Sequence, residues 1–202
     1  MQLSLNEIHV ESRKAARGAG LPWGLTEEVG QAMAWLAERG IDALPAMLEI
    51  LESCSCETSR DDPIRIGTEI ADRAQQLMAG DILTFPASQH PILLLPFLAM
   101  ASRLTGREIA LHHAEGSWLL SPGHATAGVL TDAVRRRQIG AFRCQAGGPQ
   151  AMAPFIAPTG MLRLEIAPLV WQQVQEFAHR TYVPASDQSR HHGAGAGAID
   201  ND

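Results

Sequence analysis

Apolar residues recur every three or four positions through the first 60 residues, and this spacing predicts a series of amphipathic helices. Ser4 followed by Glu7 is a capping-box pattern, which predicts that the first helix begins there. Residues 18–24 contain three glycines and a proline, so we expect this helix to end before them. Thr26 is the predicted N-cap of the next helix. The N-terminal part is therefore predicted to be a helical lead-in.

Beyond residue 60 the apolar pattern changes to short segments that partly alternate, which predicts strands. Glu115 and Gly116 lie between two of these segments and predict a hairpin turn. Pro168 is well placed to begin a helix. The predicted strands are 82–85, 108–113, 118–120, 139–145 and 161–166, and the predicted helices are 68–78, 96–104, 125–136 and 168–179. This order predicts an α+β fold, with a helical N-terminal lead-in followed by a mixed, largely antiparallel sheet with flanking helices.

The length of 202 residues fits one domain. We expect it to comprise the lead-in over 1–60, an α+β body over 61–180 and a glycine-rich functional tail over 181–202. Hydrophobic residues make up 46% of the chain and charged residues 19%, which excludes a disordered or fibrous protein. The formal net charge of −6 argues against a general nucleic-acid partner, which would need a basic face.

The sequence also predicts a cytoplasmic protein with no membrane partner. The longest apolar run, residues 92–101, is half of the ~20 residues that a membrane span requires, and the N-terminus lacks the features of a signal peptide. Cys54, Cys56 and Cys144 cannot all pair with one another, which fits a reducing compartment. Cys54 and Cys56 resemble half of a metal clip, but no second half follows, so we expect a loop pair without a function.

The strongest local feature is a glycine run near the C-terminus. Gly193, Gly195 and Gly197 alternate with alanines, and the N–H groups of such a segment can form a nest for an anion. The run lacks the preceding strand, the following helix and the downstream carboxylate of a dinucleotide fingerprint. The polar residues that complete this predicted ligand site are Ser186, Ser189 and Arg190. The alternative is a C-terminal tail without fixed structure.

An arginine also precedes a Gly-Ala-Gly turn near the N-terminus, where Arg13 and Arg17 stand before Gly18 and Gly20. Arginine binds a carboxylate or phosphate through two parallel hydrogen bonds, and a glycine loop adds backbone donors. If the two ends meet, within one subunit or across a dimer, we expect them to form a pocket for a small anion. The alternative is coincidence in a chain rich in alanine, glycine and arginine.

Four residues are candidates for catalysis. Lys14 is the one lysine among 16 basic residues, and its positive neighbours favour the neutral amine that a nucleophile or base requires. His191 or His192, with Asp200 nearby in sequence, would supply a general base and the group that orients it. The alternative for Lys14 is the solvated face of a helix.

We predict no metal site and no nucleotide-binding fingerprint, and the sequence leaves the cofactor unknown. Lys14 is followed by two alanines, so it is not the lysine of a P-loop. His112 and His113 are consecutive on a predicted strand and therefore point to opposite faces, where they cannot easily share a metal. No His-Glu-x-x-His spacing occurs in the chain.

Two segments resemble a bacterial family catalogued only as a domain of unknown function. The first is Arg-Lys-Ala-Ala-Arg-Gly-Ala-Gly at residues 13–20, continued by Leu-Pro-Trp-Gly at 21–24. The second is Ser-Arg at 189–190, Gly-Ala-Gly-Ala-Gly at 193–197 and Asp-Asn-Asp at 200–202. The resemblance implies that the chain is a whole protein with a native tail, and it implies no particular reaction.

These features together predict a small enzyme that acts on a small anionic, carboxylate-type metabolite by hydrolysis or elimination, as a homo-oligomer. In this hypothesis Arg13 and Arg190 hold the anion, and His191, His192 or Asp200 transfers protons. The alternative is a non-catalytic small-molecule-binding or accessory protein whose paired termini form a dimer contact.

Overall fold

Helices dominate the N-terminal part of the chain in the computed structural model, which describes residues 1–53, 60–122, 124–125, 127–147 and 162–181. The first helix begins at the predicted capping box, in which the Ser4 hydroxyl accepts from the Glu7 amide at 3.2 Å and the Ser4 amide donates to the Glu7 carboxylate at 2.7 Å. The helices among the described residues are α1 (Leu5–Gly18), α2 (Trp23–Ala37), α3 (Leu44–Ser53), α4 (Pro63–Asp72), α5 (Ala74–Ala79), α6 (Leu95–Thr105), α7 (Ala127–Arg135) and α8 (Pro168–His179), with a 3₁₀ helix at Pro91–Leu94.

Helix α2 begins one turn earlier than the sequence predicts. Pro22 is its N-cap, and Thr26 lies inside the helix, where its hydroxyl donates to the carbonyl oxygen of Trp23 at 2.7 Å. The predicted cap at Thr26 is therefore wrong. The cause is local, because Pro22 already has the extended backbone of a cap residue and its fixed φ suits a helix start without any side-chain hydrogen bond.

An antiparallel sheet of five strands forms the second part of the fold, in the order β2-β8-β4-β5-β6. Two smaller antiparallel pairs, β1 with β9 and β3 with β7, lie apart from it. The strands are β1 (Gln2–Ser4), β2 (Leu83–Phe85), β3 (Ser88–Gln89), β4 (Ile109–His113), β5 (Gly116–Ser121), β6 (His124–Ala125), β7 (Gln138–Ile139), β8 (Phe142–Ala146) and β9 (Arg163–Glu165). Helices and antiparallel strands confirm the predicted α+β class, and β4 and β5 form the predicted hairpin.

Helices and sheet share one apolar core, a cluster of buried side chains that extends from Leu3 in β1 to Phe177 in α8. Two glycines let helices approach more closely than a side chain would allow. A Cβ at Gly30 of α2 would lie 2.6 Å from the His9 ring of α1, and one at Gly67 of α4 would overlap the Phe97 ring of α6. The first contact joins α1 to α2, and the second joins α4 to α6. Helix α2 also packs against α4 and α6, and the candidate site lies between α2 and α6.

The apolar segments of this chain contribute side chains to that core. Among the described residues, no helix combines the length and the apolar character needed to cross a bilayer. Cys144 of β8 is completely buried, and burial raises the pKa of its thiol. Cys54 and Cys56 lie outside the described residues.

Candidate functional site

The predicted N-terminal site residues lie on α1, and their charged groups are engaged within this chain. The Arg13 guanidinium donates to the Glu27 carboxylate at 3.1 Å, and the Lys14 ammonium donates to Glu11 at 2.7 Å. Arg17 donates to the carbonyl oxygen of Leu21 at 3.0 Å, and its guanidinium lies 4.7 Å from the centre of the exposed Trp23 ring. Roles for Arg13 and Arg17 in ligand binding and for Lys14 in catalysis stay predictions.

Gly18 and Gly20, the predicted binding glycines near the N-terminus, have local structural roles. A Cβ at Gly18 would overlap the carbonyl oxygen of Phe177, so this glycine allows α1 and α8 to touch. Gly20 has a φ of +96°, a left-handed conformation that favours glycine in the turn between α1 and α2. Helix packing and a turn therefore explain the Gly-Ala-Gly sequence at residues 18–20, and the anion nest stays a prediction.

The structure brings the end of α8, from which the predicted tail continues, next to Gly18. Residues 180 and 181 are the last described residues of the chain, and Arg180 lies at this contact. The remaining predicted site residues lie outside the described residues, and they are Ser186, Ser189, Arg190, His191, His192, Gly193, Gly195, Gly197 and Asp200.

A cavity of about 380 Å³ lies between α2 and α6, and no sequence pattern indicated it. Its size falls within the range of small-molecule sites, roughly 300–1,000 Å³. Apolar side chains and charged side chains both line it. The apolar group is Ala32, Trp35, Pro96, Phe97, Ala99, Met100 and Pro122, and the polar group is Glu28, Gln31, Glu38, Arg39 and Arg103.

Glu28 is the most unusual of the polar residues. Its Oε2 atom is buried and has no hydrogen-bond partner among the described residues. Burial raises the pKa of the Glu28 carboxyl, and the negative charges of Asp72 and Glu27 raise it further. A partly desolvated carboxyl holds its proton to a higher pH than a solvated one does, and such a carboxyl at the wall of a cavity is a candidate general acid or base.

Arg39 forms a second, buried charge at the end of α2. Its side chain is 3% exposed, its guanidinium lies 3.6 Å from the centre of the Trp35 ring, and it donates to the Trp35 carbonyl oxygen at 2.8 Å. Burial lowers the pKa of Arg39, and the ion pair with Glu38 at 3.1 Å opposes that effect. Because arginine stays charged in proteins, this wall of the cavity carries a fixed positive group with a fixed orientation.

Arg103 projects from the last turn of α6 on the other side of the cavity. It is exposed, and among the described residues its guanidinium has neither a hydrogen bond nor an ion pair. An unpaired guanidinium at the mouth of a cavity can bind a carboxylate of a ligand through two parallel hydrogen bonds. It is the cavity's available anion anchor, whereas Arg39 is already engaged with Glu38.

The cavity has the groups for proton transfer but not for nucleophilic catalysis by a hydroxyl or thiol. Serine, threonine, cysteine, lysine and histidine are all missing from the described residues that line it. The available groups are one desolvated carboxyl, two guanidinium groups and a second carboxylate. They can hold an anion and move a proton to or from it.

Glu28, in the second turn of α2, carries no local sequence signal of its partial burial. Arg39 lies four residues after Trp35, just beyond the end of α2, and this interval is the signal that could have found the stacked pair. The contribution of α6 had no such signal, because it depends on how two helices far apart in the sequence pack.

The fold and the cavity define the chain as an α+β protein whose N-terminal helices provide one wall of a ligand-sized site. Residues 3–77 match the model of a family described as a protein of unknown function (DUF3726). The match confirms the resemblance to a family of unknown function, and it includes α2 with Glu28 and Arg39 but not α6. No curated protein and no solved structure shows significant similarity to this chain.

Proposed function

We propose that this protein binds a small carboxylate metabolite in the α2–α6 cavity and that Glu28 exchanges a proton with it. The observation that carries the proposal is the buried, unpartnered Oε2 of Glu28 in a cavity that also holds the unpaired Arg103. The cytoplasm is the proposed location, because an odd number of cysteines suits a reducing compartment.

In this proposal Arg39 and Arg103 have different roles in binding. Arg103 would bind the carboxylate of the ligand, since its guanidinium is free of ion pairs among the described residues. Arg39 would contribute a fixed positive potential from the opposite wall, where Trp35 and Glu38 hold it. The apolar body of the ligand would lie against Phe97 and Met100, which line the cavity on α6. This division predicts that removing Arg103 affects binding without affecting the fold.

Elimination is the reaction that this set of groups supports best. In such a step Glu28 would take the proton from the carbon next to the ligand carboxylate, while a leaving group departs with its electron pair from the neighbouring carbon. The arginines would stabilise the negative charge that develops on the carboxylate. General-base hydrolysis, in which Glu28 takes a proton from an attacking water, uses the same carboxyl. A covalent route through serine or cysteine finds no residue in the described lining.

The binding step can be tested with a panel of small carboxylates that carry an apolar body, such as benzoate, phenylacetate and hexanoate. A ligand that binds the folded state raises the melting temperature by mass action, and a change in tryptophan fluorescence reports contact with Trp35. We expect Arg103→Ala to weaken binding of the best ligand about tenfold or more, because a charge-assisted hydrogen bond contributes roughly 1.5–3 kcal/mol.

Arg73→Ala is the matched control. Arg73 is partly exposed and close to a helix end, but it binds Glu69 and Gln76 and does not line the cavity. The control should bind the same ligand as tightly as the unaltered protein. Equal affinity in Arg103→Ala and Arg73→Ala would refute the assignment of Arg103 as the anion anchor.

A further inference from the structure

A row of polar side chains crosses four neighbouring strands of the central sheet, away from the α2–α6 cavity. His112 of β4 is paired with Ser117 of β5 on one side and with Arg143 of β8 on the other, and Arg143 is paired with Thr84 of β2. Directly paired residues of antiparallel strands point to the same face of the sheet. Ser117, His112, Arg143 and Thr84 therefore stand side by side on one face, in that order.

The histidine in this row has one satisfied and one unsatisfied ring nitrogen. Its Nδ1 lies 2.6 Å from the Ser117 hydroxyl oxygen. Its Nε2 is buried and has no hydrogen-bond partner among the described residues. When the serine hydroxyl donates to Nδ1, the neutral ring carries its proton on Nε2. The ring then carries a buried N–H donor for which no described residue is an acceptor.

Arg143 adds a positive charge beside that donor. Its side chain is exposed, and it makes neither a hydrogen bond nor an ion pair with any described residue. The Thr84 hydroxyl, on the next strand, is also exposed. Three donor groups of different kinds, a guanidinium, an imidazole and a hydroxyl, thus follow one another across β4, β8 and β2.

These three residues also line one cavity of about 340 Å³ at the ends of the strands. Phe85, Phe142 and Ala141 provide its apolar lining, and the two phenylalanine rings stack with their centres 5.2 Å apart. Along β2 and β8 these phenylalanines alternate with Thr84 and Arg143 and therefore point to the opposite face of the sheet, so the cavity connects the donors on one face to an apolar wall that is reached around the strand ends. It shares no residue with the α2–α6 cavity.

We propose that Arg143, His112 and Thr84 bind the phosphoryl group of a small phosphate monoester whose organic part lies against Ala141 and the Phe85–Phe142 pair. A phosphoryl group presents three free oxygens, and the row presents three separate donor groups, whereas a carboxylate has only two oxygens to share among them. Bound phosphate would accept from Nε2 of His112 and satisfy it. This site is independent of the function proposed for the α2–α6 cavity.

Phenyl phosphate and inorganic phosphate are the probes, and benzoate is the comparison anion. We expect phenyl phosphate to bind several-fold more tightly than inorganic phosphate, because only the ester contacts the apolar wall. Benzoate should not perturb the row. In NMR spectra of protein with ¹⁵N-labelled histidine, the signals of the His112 ring should move with phenyl phosphate, whereas those of His90, which lies on another cavity, should not.

Arg143→Ala should weaken phenyl phosphate binding about tenfold or more, and Arg107→Ala, another exposed arginine that is not part of the row, should leave it unchanged. Both substitutions are at exposed positions, so both variants should fold. An unperturbed His112 ring, equal affinity for the two phosphates, or equal affinity in the two variants would each overturn the proposal.

Discussion

The protonation of Glu28 is linked to the stability of the fold. Its pKa is raised in the folded protein, so the folded state holds the Glu28 proton to a higher pH than the unfolded chain does. The raised pKa therefore stabilises the folded state fully at pH values below 4.5, which is the pKa of this carboxyl in the unfolded chain. This contribution is lost as the pH rises through the pKa of the folded state. Above the pKa of the folded state, the negative charge on the partly buried carboxylate, whose Oε2 has no hydrogen-bond partner among the described residues, destabilises the fold.

Glu28→Gln is consequently expected to stabilise the protein by about 1 kcal/mol at pH 8, a gain of the size often obtained when a strained functional residue is replaced. At pH 4 the two proteins should unfold at nearly the same denaturant concentration, because both then carry a neutral side chain. Urea unfolding curves at the two pH values measure the difference. A glutamine variant that is less stable at pH 8 would contradict the desolvation of Glu28.

Gly18 shows how a packing residue can resemble a binding residue in a sequence. Gly18→Ala places a Cβ on the carbonyl oxygen of Phe177, and we expect a loss of at least about 2 kcal/mol in the free energy of unfolding. Gly24→Ala is the control, since a Cβ at Gly24 meets no atom within 4 Å and alanine favours the helix by about 0.5 kcal/mol. Amide hydrogen exchange in α8 should rise in the first variant alone. Similar stability for both variants would show that α1 and α8 do not touch at Gly18.

At the scale of elements, α4 depends on the buried Asp62 at its N-cap. One carboxylate oxygen accepts from the Ile64 amide at 2.8 Å and also from the Arg65 amide at 3.5 Å, and burial raises the pKa of this carboxyl. Because α4 packs against α6, the cap also holds in place the helix that carries Arg103.

Asp62→Ala removes the acceptor for these amides and should cost about 1–2 kcal/mol of unfolding free energy. Asp62→Asn keeps an acceptor oxygen without the buried charge and should cost less than about 0.5 kcal/mol at neutral pH. Thermal and urea unfolding of the two variants provide the comparison. If asparagine costs as much as alanine, the charge and not the cap hydrogen bond stabilises α4.

The elements predicted most accurately are those that depend on short-range signals. The Ser4–Glu7 capping box and Pro168 identified the starts of α1 and α8, because each signal lies within one helical turn. Strands β1 and β3 were missed, since two or three residues are too few to show alternation. The predicted strand 139–145 is two strands, β7 and β8, which pair with different partners.

At the scale of the whole molecule, the candidate site depends on packing that no local pattern encodes. Glu28 and Arg103 come from helices separated by more than 55 residues in the chain, and α1, α4 and the core determine how those helices meet. The sequence prediction of a carboxylate-type ligand therefore remains a proposal. The structure, however, contains a cavity of ligand size at a place that the sequence did not indicate.

The central claim is that Glu28 is a desolvated proton-transfer group in a cavity that receives a carboxylate. The most direct test is a pH titration of the Glu28 side-chain carboxyl by ¹³C NMR, with and without the best ligand of the carboxylate panel. A desolvated Glu28 carboxyl should titrate with a midpoint above 4.5 in the free protein. A ligand anion nearby should then raise this midpoint further, because it disfavours the charged form. A midpoint at or below 4.5 that does not change on addition of the ligand would contradict the account.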